Sequence, residues 1–332
     1  MAYTTIDDPE AYFQTVIWTG NGTDDRSITL PGDTDLQPDA VWVKCRSNAH
    51  SHRLVDSIRG ATKTVLPDDY NSEGTEANII QAFESDGFQV GDDANSNGSS
   101  KTYVAWCWKE SATAGFDMVS YSGTGSAKTE AHSLSAVPKM MIMKNRSSGR
   151  NWIVYHAGWA SDPETDAMVL NENYTPDDDA SYWNDTAPTS SVFTVGTGNL
   201  NNESGDNIIA YLWSEKQGFS KFGSYTGNGE ADGAFIYTGF RPAFFMIKKS
   251  SATDPWVIFD NKRAPYNYFD KLIYPDSNEA ESGAAERGDF LSNGVKFKSN
   301  HTYFNGSGIT YIYAAFAEAP FVNSKGVPGN AR

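Results

Sequence analysis

The stretch Trp18-Thr-Gly-Asn-Gly22 recurs as Tyr121-Ser-Gly-Thr-Gly125 and again as Tyr225-Thr-Gly-Asn-Gly229. An aromatic residue, a small polar residue and two glycines one apart mark the end of a strand and a tight turn. Three such stretches in one chain direct attention to internal repetition before any local assignment. Each is followed by a proline with a lysine six positions on: Pro38 to Lys44, Pro138 to Lys144, Pro242 to Lys248. Twelve residues after each lysine an apolar-rich run ends on a polar residue, Asp56, His156 or Asp260. Each series closes on a rich apolar run, Thr102–Trp108, Asn207–Trp213 and Thr310–Phe316, with a glutamate two residues beyond: Glu110, Glu215, Glu318.

The fixed order and spacing divide the 332 residues into an N-terminal arm (1–11), three units (12–114, 115–217, 218–321) and a C-terminal tail (322–332). Within a unit, short runs of Val, Ile, Phe, Tyr, Trp and Thr are bounded by Gly, Asn, Asp and Ser, which are strand signals. Tyr103, Ala105 and Cys107 alternate with Val104, Trp106 and Trp108, and both sets are apolar, as in a strand covered on both faces. The number and rhythm of the runs predict an all-β chain of three tandem repeats. Each is an antiparallel β-sandwich of jelly-roll or lectin-like type. Asn-Gly pairs at 21–22, 97–98, 228–229, 293–294 and 305–306 suit turns with positive φ. One short helix is expected within Glu76–Phe83. The segments Asp162–Ala187 and Tyr274–Arg287 differ most between units and are the expected binding loops.

The charge is −16 from 26 Lys and Arg against 42 Asp and Glu, which disfavours nucleic acid and anionic membrane surfaces as partners. No apolar run of about 18 residues exists, so no membrane insertion is expected. The opening residues lack a signal-peptide pattern, so synthesis in a host cytoplasm is expected. Cys45 and Cys107 read as two buried apolar residues, with a bridge between them as the alternative.

Lys44, Lys144 and Lys248 with Glu110, Glu215 and Glu318 read as structural positions, an ion pair or hydrogen bond locking each sandwich. Asp56, His156 and Asp260 belong to the same structural set. Asp93-Ala-Asn95-Ser-Asn97-Gly98 matches the start of a calcium loop but has Val104 where a bidentate Glu is needed, so a hairpin loop is favoured. Asp177-Asp178-Asp179 reads as a solvated acidic loop. His50 and His52 lack further ligands, and no metal or cofactor is expected. No nucleophile elbow, zincin or phosphate-loop motif occurs, and no enzyme activity is expected. The loop aromatics Trp159, Tyr174, Tyr182, Trp183, Tyr266 and Tyr268, set among Asn and Asp, are candidates for contact with a glycan. Trp152 and Trp256 recur at one strand position and read as core.

The series Y-[ST]-G-[NT]-G, P-x5-K and W-x-[VI]-[YF]-[HD] resembles a family of bacteriophage virion proteins of tail or tail-fibre type. The blocks Lys221–Gly233 and Trp256–Asn267 carry that likeness most specifically. In style the units are similar to concanavalin-like or SPRY-like modules. The resemblance implies a virion location and no reaction. It implies a non-enzymatic structural role in a tail or fibre. Expected partners are other virion proteins and further copies of the chain, a homo-oligomer such as a trimer, with host-surface carbohydrate as a ligand. The arm or the tail is expected to dock onto a neighbour. A capsid decoration or head-fibre protein is the first alternative. A glycan-hydrolysing tailspike using acidic loop residues such as Asp178 and Glu203 is the second.

Overall fold

The computed structural model describes residues 2–329 and is all-β, with only short helical turns such as Ala180–Trp183 and Thr302–Asn305. Three of its sheets share one strand order. In the first, Phe13–Thr19 pairs with Thr102–Trp108, which pairs with Ala40–Cys45, which pairs with Arg53–Asp56, all antiparallel. The second places Phe116–Ser122, Asn207–Trp213, Met140–Asn145 and Ile153–His156 in that order. The third places Ser220–Thr226, Thr310–Pro320, Phe240–Lys249 and Val257–Asp260 likewise. The strand that opens each set therefore lies beside the one that closes it.

Alternation along these strands assigns the two apolar faces to different tasks. In the first sheet Val41, Val43, Cys45, Tyr103, Ala105 and Cys107 face one way and pack with Ile28, Phe88 and Val90 of a smaller sheet. The alternate residues Ala40, Trp42, Leu54, Val104, Trp106 and Trp108 face the other way, into a core common to all three sheets. In the second sheet Met141, Met143, Ile208, Ala210 and Leu212 pack with Phe193 and Val195, while Met140, Ile142, Ile209, Tyr211 and Trp213 join the common core. That core converges on Trp108, whose ring lies 5.1 Å from Phe13, 6.2 Å from Trp213, 5.9 Å from Phe244 and 5.8 Å from Phe316.

The turns use their glycines in two ways. Gly22, Gly125 and Gly229 take φ of 70°, 69° and 71°, a region costly for other residues. A Cβ on Gly20, Gly123 or Gly227 would meet the carbonyl oxygen of Gly98, Glu203 or Gly306 at 2.2, 2.1 and 2.3 Å. Of the five Asn-Gly pairs, 21–22 and 228–229 have the expected positive φ. At 305–306 Gly306 has φ −63° instead.

One expectation about local structure is corrected. No helix forms within Glu76–Phe83: Gly74–Thr75 and Ala82–Glu84 are short strands joined by turns. Cys45 and Cys107 are free and buried. Cys107 pairs in register with Val41 and Cys45 with Tyr103, so the thiols lie too far apart along the strands for a bridge. The arm and tail engage each other and the third unit. Tyr3 donates to the Gly239 carbonyl at 2.8 Å, and the Ser324 amide donates to Asp7 at 2.6 Å. Among the described residues no helix is long and apolar enough to cross a membrane.

Candidate functional site

The three lysines are fully buried, and each fastens its sheet to a loop of another unit. Lys44 Nζ donates to the carbonyls of Cys45 at 2.7 Å and Asn278 at 3.3 Å. Lys144 donates to Arg150 at 2.5 Å and Tyr70 at 2.9 Å. Lys248 donates to Asp254 at 2.6 Å and Asn173 at 3.2 Å. The sense is cyclic: first sheet to third unit, second to first, third to second. Burial pulls Lys44 and Lys248 down to about 8 and Lys144 to about 7, because an ammonium group is poorly solvated there.

The expected Lys–Glu pairs do not form. In antiparallel register Lys44 lies opposite Val104, while Glu110 follows Trp108 at the other end of the sheet. Each glutamate meets its own strand-end partners instead. Glu215 faces Lys221 at 3.3 Å and Glu318 faces Arg241 at 3.2 Å. Glu110 Oε1 accepts from the Met118 amide at 3.3 Å, with the Asp117 carboxyl as its neighbour. Burial and that carboxyl neighbour push Glu110 up to about 7.

The ring positions that precede the Asp/His residues repeat the cyclic pattern. Trp152 Nε1 donates to the Leu66 carbonyl at 2.7 Å and Trp256 Nε1 to Val169 at 2.9 Å. The first unit has His52 there. Its Nδ1 accepts from Trp42 Nε1 at 2.8 Å, so Nε2 carries the hydrogen donated to the Tyr274 carbonyl at 3.0 Å. Burial holds His52 well below the usual histidine range.

Asp56, His156 and Asp260 also sit at the contacts between units. Asp56 Oδ2 accepts from Arg59 Nε at 2.5 Å and from the Tyr211 hydroxyl at 2.6 Å. Asp260 Oδ2 accepts from Arg263 Nε at 2.5 Å and from Trp106 Nε1 at 3.1 Å. Glu73 bridges Arg59 at 3.3 Å and Arg146 at 2.8 Å, and Glu281 bridges Arg263 at 3.2 Å and Arg46 at 2.9 Å. The remaining junction lacks this network. His156 Nε2 donates to the Tyr313 carbonyl at 3.0 Å, burial lowers His156 to about 4, and Trp159 and Ser250 occupy the two arginine positions.

The aromatic candidates separate into three groups. Trp183 is 1% exposed, with Nε1 donating to the Asp166 carbonyl, and Trp159 packs on the common core. Trp183 is therefore corrected from a ligand-facing ring to a packing residue, while Trp159 remains part-buried. Tyr266 and Tyr268 are 82% and 49% exposed. Tyr174 and Tyr182 come together. They line a cleft of about 380 Å³ with Asn151, Pro176, Asp177 and Leu200. Tyr174 is half exposed, and the Tyr182 hydroxyl donates to Asp177 Oδ2 at 2.8 Å.

A family model described as a domain of unknown function, DUF7483, matches residues 8–320. The chain belongs to that family. No curated protein matches it. The matched span of the DUF7483 domain takes in all three sheets of shared strand order and leaves only the ends outside.

Within the DUF7483 domain three residues that sequence reasoning passed over hold the turns. Asn97, Asn202 and Asn305 are fully buried. Asn97 Nδ2 donates to Thr23 at 2.8 Å and Gly91 at 3.0 Å, while its Oδ1 accepts from the Asn21 amide at 3.1 Å. Asn202 accepts from the Thr124 amide at 2.9 Å and Asn305 from the Asn228 amide at 3.1 Å. Each stands five residues before the closing strand (Thr102, Asn207, Thr310). That spacing was the available signal, masked because two of the three sit in Asn-Gly pairs that read as turns. The Asp93–Gly98 segment is not the expected hairpin: it crosses from Gly87–Val90 in the smaller sheet to Thr102–Trp108 in the first sheet, with Asn97 turned inward. Among the described residues no group of three or more His, Cys, Asp or Glu is placed to hold a metal ion. Asp177 and Asp178 are exposed, and Asp179 caps Ala180–Trp183 by accepting from the Ser181 amide.

Proposed function

We propose that this chain is a non-enzymatic structural component of a phage virion, in a tail or tail fibre, built from three tandem copies of one β-sandwich. The observation that carries the reading is the closed ring of buried lysines, from Lys44 to Asn278, Lys144 to Tyr70 and Lys248 to Asn173. Three sheets with one strand order, fastened cyclically around a single aromatic core, make a rigid body that presents variable loops outward. That design suits a particle part used in many copies, where weak contacts gain strength from multiplicity. The virion address itself comes from the sequence resemblance. Host-surface glycan is the proposed ligand, and other virion proteins and further copies of the chain are the proposed partners.

The test is immunogold labelling of purified particles with an antibody against the folded chain. Gold at the tail supports the reading. Gold over the head replaces it with a capsid decoration role. An accessible epitope that gives no label on the particles overturns the virion assignment.

A further inference from the structure

We infer that the cleft between Tyr174 and Tyr182 in the second unit is a binding site for an uncharged sugar. The inference deepens the glycan-binding part of the proposed function and selects its place and its ligand class.

The cleft is a product of sequence that differs between the units. The strand Asp166–Val169 extends the second sheet and pairs with Asp177–Asp178. The turn Ala180–Trp183 then folds back, pinned by Trp183 Nε1 on the Asp166 carbonyl at 2.9 Å. Between these elements lies a volume of about 380 Å³, at the small end of the range for ligand sites. Its floor is apolar, with Ile153 and Met168, and its rim carries two tyrosine rings.

The polar groups on that rim are oriented before any ligand arrives. Asn151 Oδ1 accepts from Asn171 Nδ2 at 2.9 Å, and Asn171 Oδ1 in turn accepts from the Trp152 amide at 2.8 Å. The Asn151 side-chain NH₂ is thereby turned away from this chain of bonds and offers donors. Asp177 uses Oδ2 for the Tyr182 hydroxyl, which fixes that ring and leaves Oδ1 as an acceptor. A fixed donor, a fixed acceptor and a half-exposed ring match a sugar, whose hydroxyls give and take hydrogen bonds while its C–H face lies on an aromatic ring.

Charge selects among sugars. No Lys, Arg or His lines the cleft. Asp166 is raised from its ordinary value by burial and by neighbouring Asp178, Asp162 and Asp177, and these carboxylates, with Asp177 in the lining, set a negative field around the site. A uronate or sialic acid would meet repulsion there, whereas a neutral hexose would not.

The experiment is saturation-transfer difference NMR and titration calorimetry on the full chain. The probes are neutral trisaccharides (maltotriose, cellotriose, a galactotriose), trigalacturonate and sialyllactose. Expected is binding of at least one neutral trisaccharide, with the two acidic sugars weaker. Tyr174→Ala should weaken binding by about tenfold. Asn151→Asp, which keeps the acceptor for Asn171 but removes the donors, should weaken it similarly without unfolding the chain. Tyr266→Ala, on a different loop, should leave it unchanged. Absence of binding to every neutral probe, preference for an acidic sugar, or binding lost with Tyr266→Ala but kept with Tyr174→Ala would each overturn the assignment. The measurement uses purified protein, so a sugar bound through Tyr174 stands even if particle labelling fails, and the converse holds as well.

Discussion

Lys44 Nζ donates to the carbonyl of Asn278, 234 residues further along the chain, and this bond joins the first sheet to the third unit and closes the cycle. The side chain is fully buried, so the ammonium forgoes water and depends on carbonyl dipoles for solvation. Replacement by a flexible apolar side chain of similar length isolates that exchange. Lys44→Met leaves the carbonyls of Cys45, Asn48 and Asn278 without this donor, at about 1–3 kcal/mol for each well-formed bond, partly offset by relief of the buried charge. A net destabilisation of about 1–3 kcal/mol is expected in denaturant unfolding.

The same lysine predicts a pH signature. Burial lowers it from 10.5 to about 8, so between these values the unfolded chain binds more protons than the native one. Native stability from this group therefore rises with pH across that window. The methionine variant lacks this titrating group. The stability gap between wild type and Lys44→Met should be wider at pH 9.5 than at pH 7.5, and a gap that narrows would contradict the assigned shift.

A shared core predicts shared unfolding. Phe13, Trp42, Trp106 and Trp108 of the first unit pack against Phe244, Phe316 and Trp213 of the others. Residues 12–114 produced alone would expose this face. They are expected to aggregate or to bind a hydrophobic dye, whereas the whole chain should melt in one calorimetric transition. A soluble fragment with a sharp melt would show that the units are independent.

Much of this architecture was legible in the sequence because it rests on periodicity. The alternation in Thr102–Trp108 marked a strand buried on both sides, and the six- and twelve-residue spacings marked Lys44 and Asp56 as equivalent to Lys144 and His156. What covers each face was not legible. Lys44 reads as a strand-end charge beside Glu110, yet antiparallel register separates the two, and its partner is a carbonyl from the far end of the chain. Backbone acceptors carry no sequence signature. The site was half legible. Tyr174 and Tyr182 converge on one cleft, but Trp183, one residue along, turns inward because the helical turn gives successive side chains different directions.

The Asp56–Arg59 pair is fully buried, with Tyr211 of the second unit on the same carboxylate. Asp56→Ala takes from the Arg59 guanidinium its nearest counter-charge and from the Tyr211 hydroxyl its acceptor, and should cost about 3–5 kcal/mol. Glu73 and the Leu54 carbonyl remain as partners for Arg59, which places the expected cost nearer the lower figure. The double variant Asp56→Ala, Arg59→Met removes the orphaned charge and should be more stable than Asp56→Ala alone. A double-mutant cycle by urea unfolding reads that coupling.

Glu110 and Asp117 are carboxyl neighbours across the join between the first two units. Burial, then the hydrogen bond with Asp117, raise Glu110 from 4.5 to about 7, while its carboxylate also accepts from the Met118 amide at 3.3 Å. With the native pKa above the unfolded one, the native chain binds more protons between these values. The contribution of Glu110 is therefore fully present below about pH 4.5 and is lost as pH rises through about 7. Glu110→Gln keeps a hydrogen bond to Asp117 at every pH, since its amide donates where the protonated acid did. Thermal melts at pH 5 and pH 8 should thus show the variant close to wild type at the lower pH and more stable than wild type at the higher. Equal stability at both values would mean that the two carboxyl groups do not share a proton in solution.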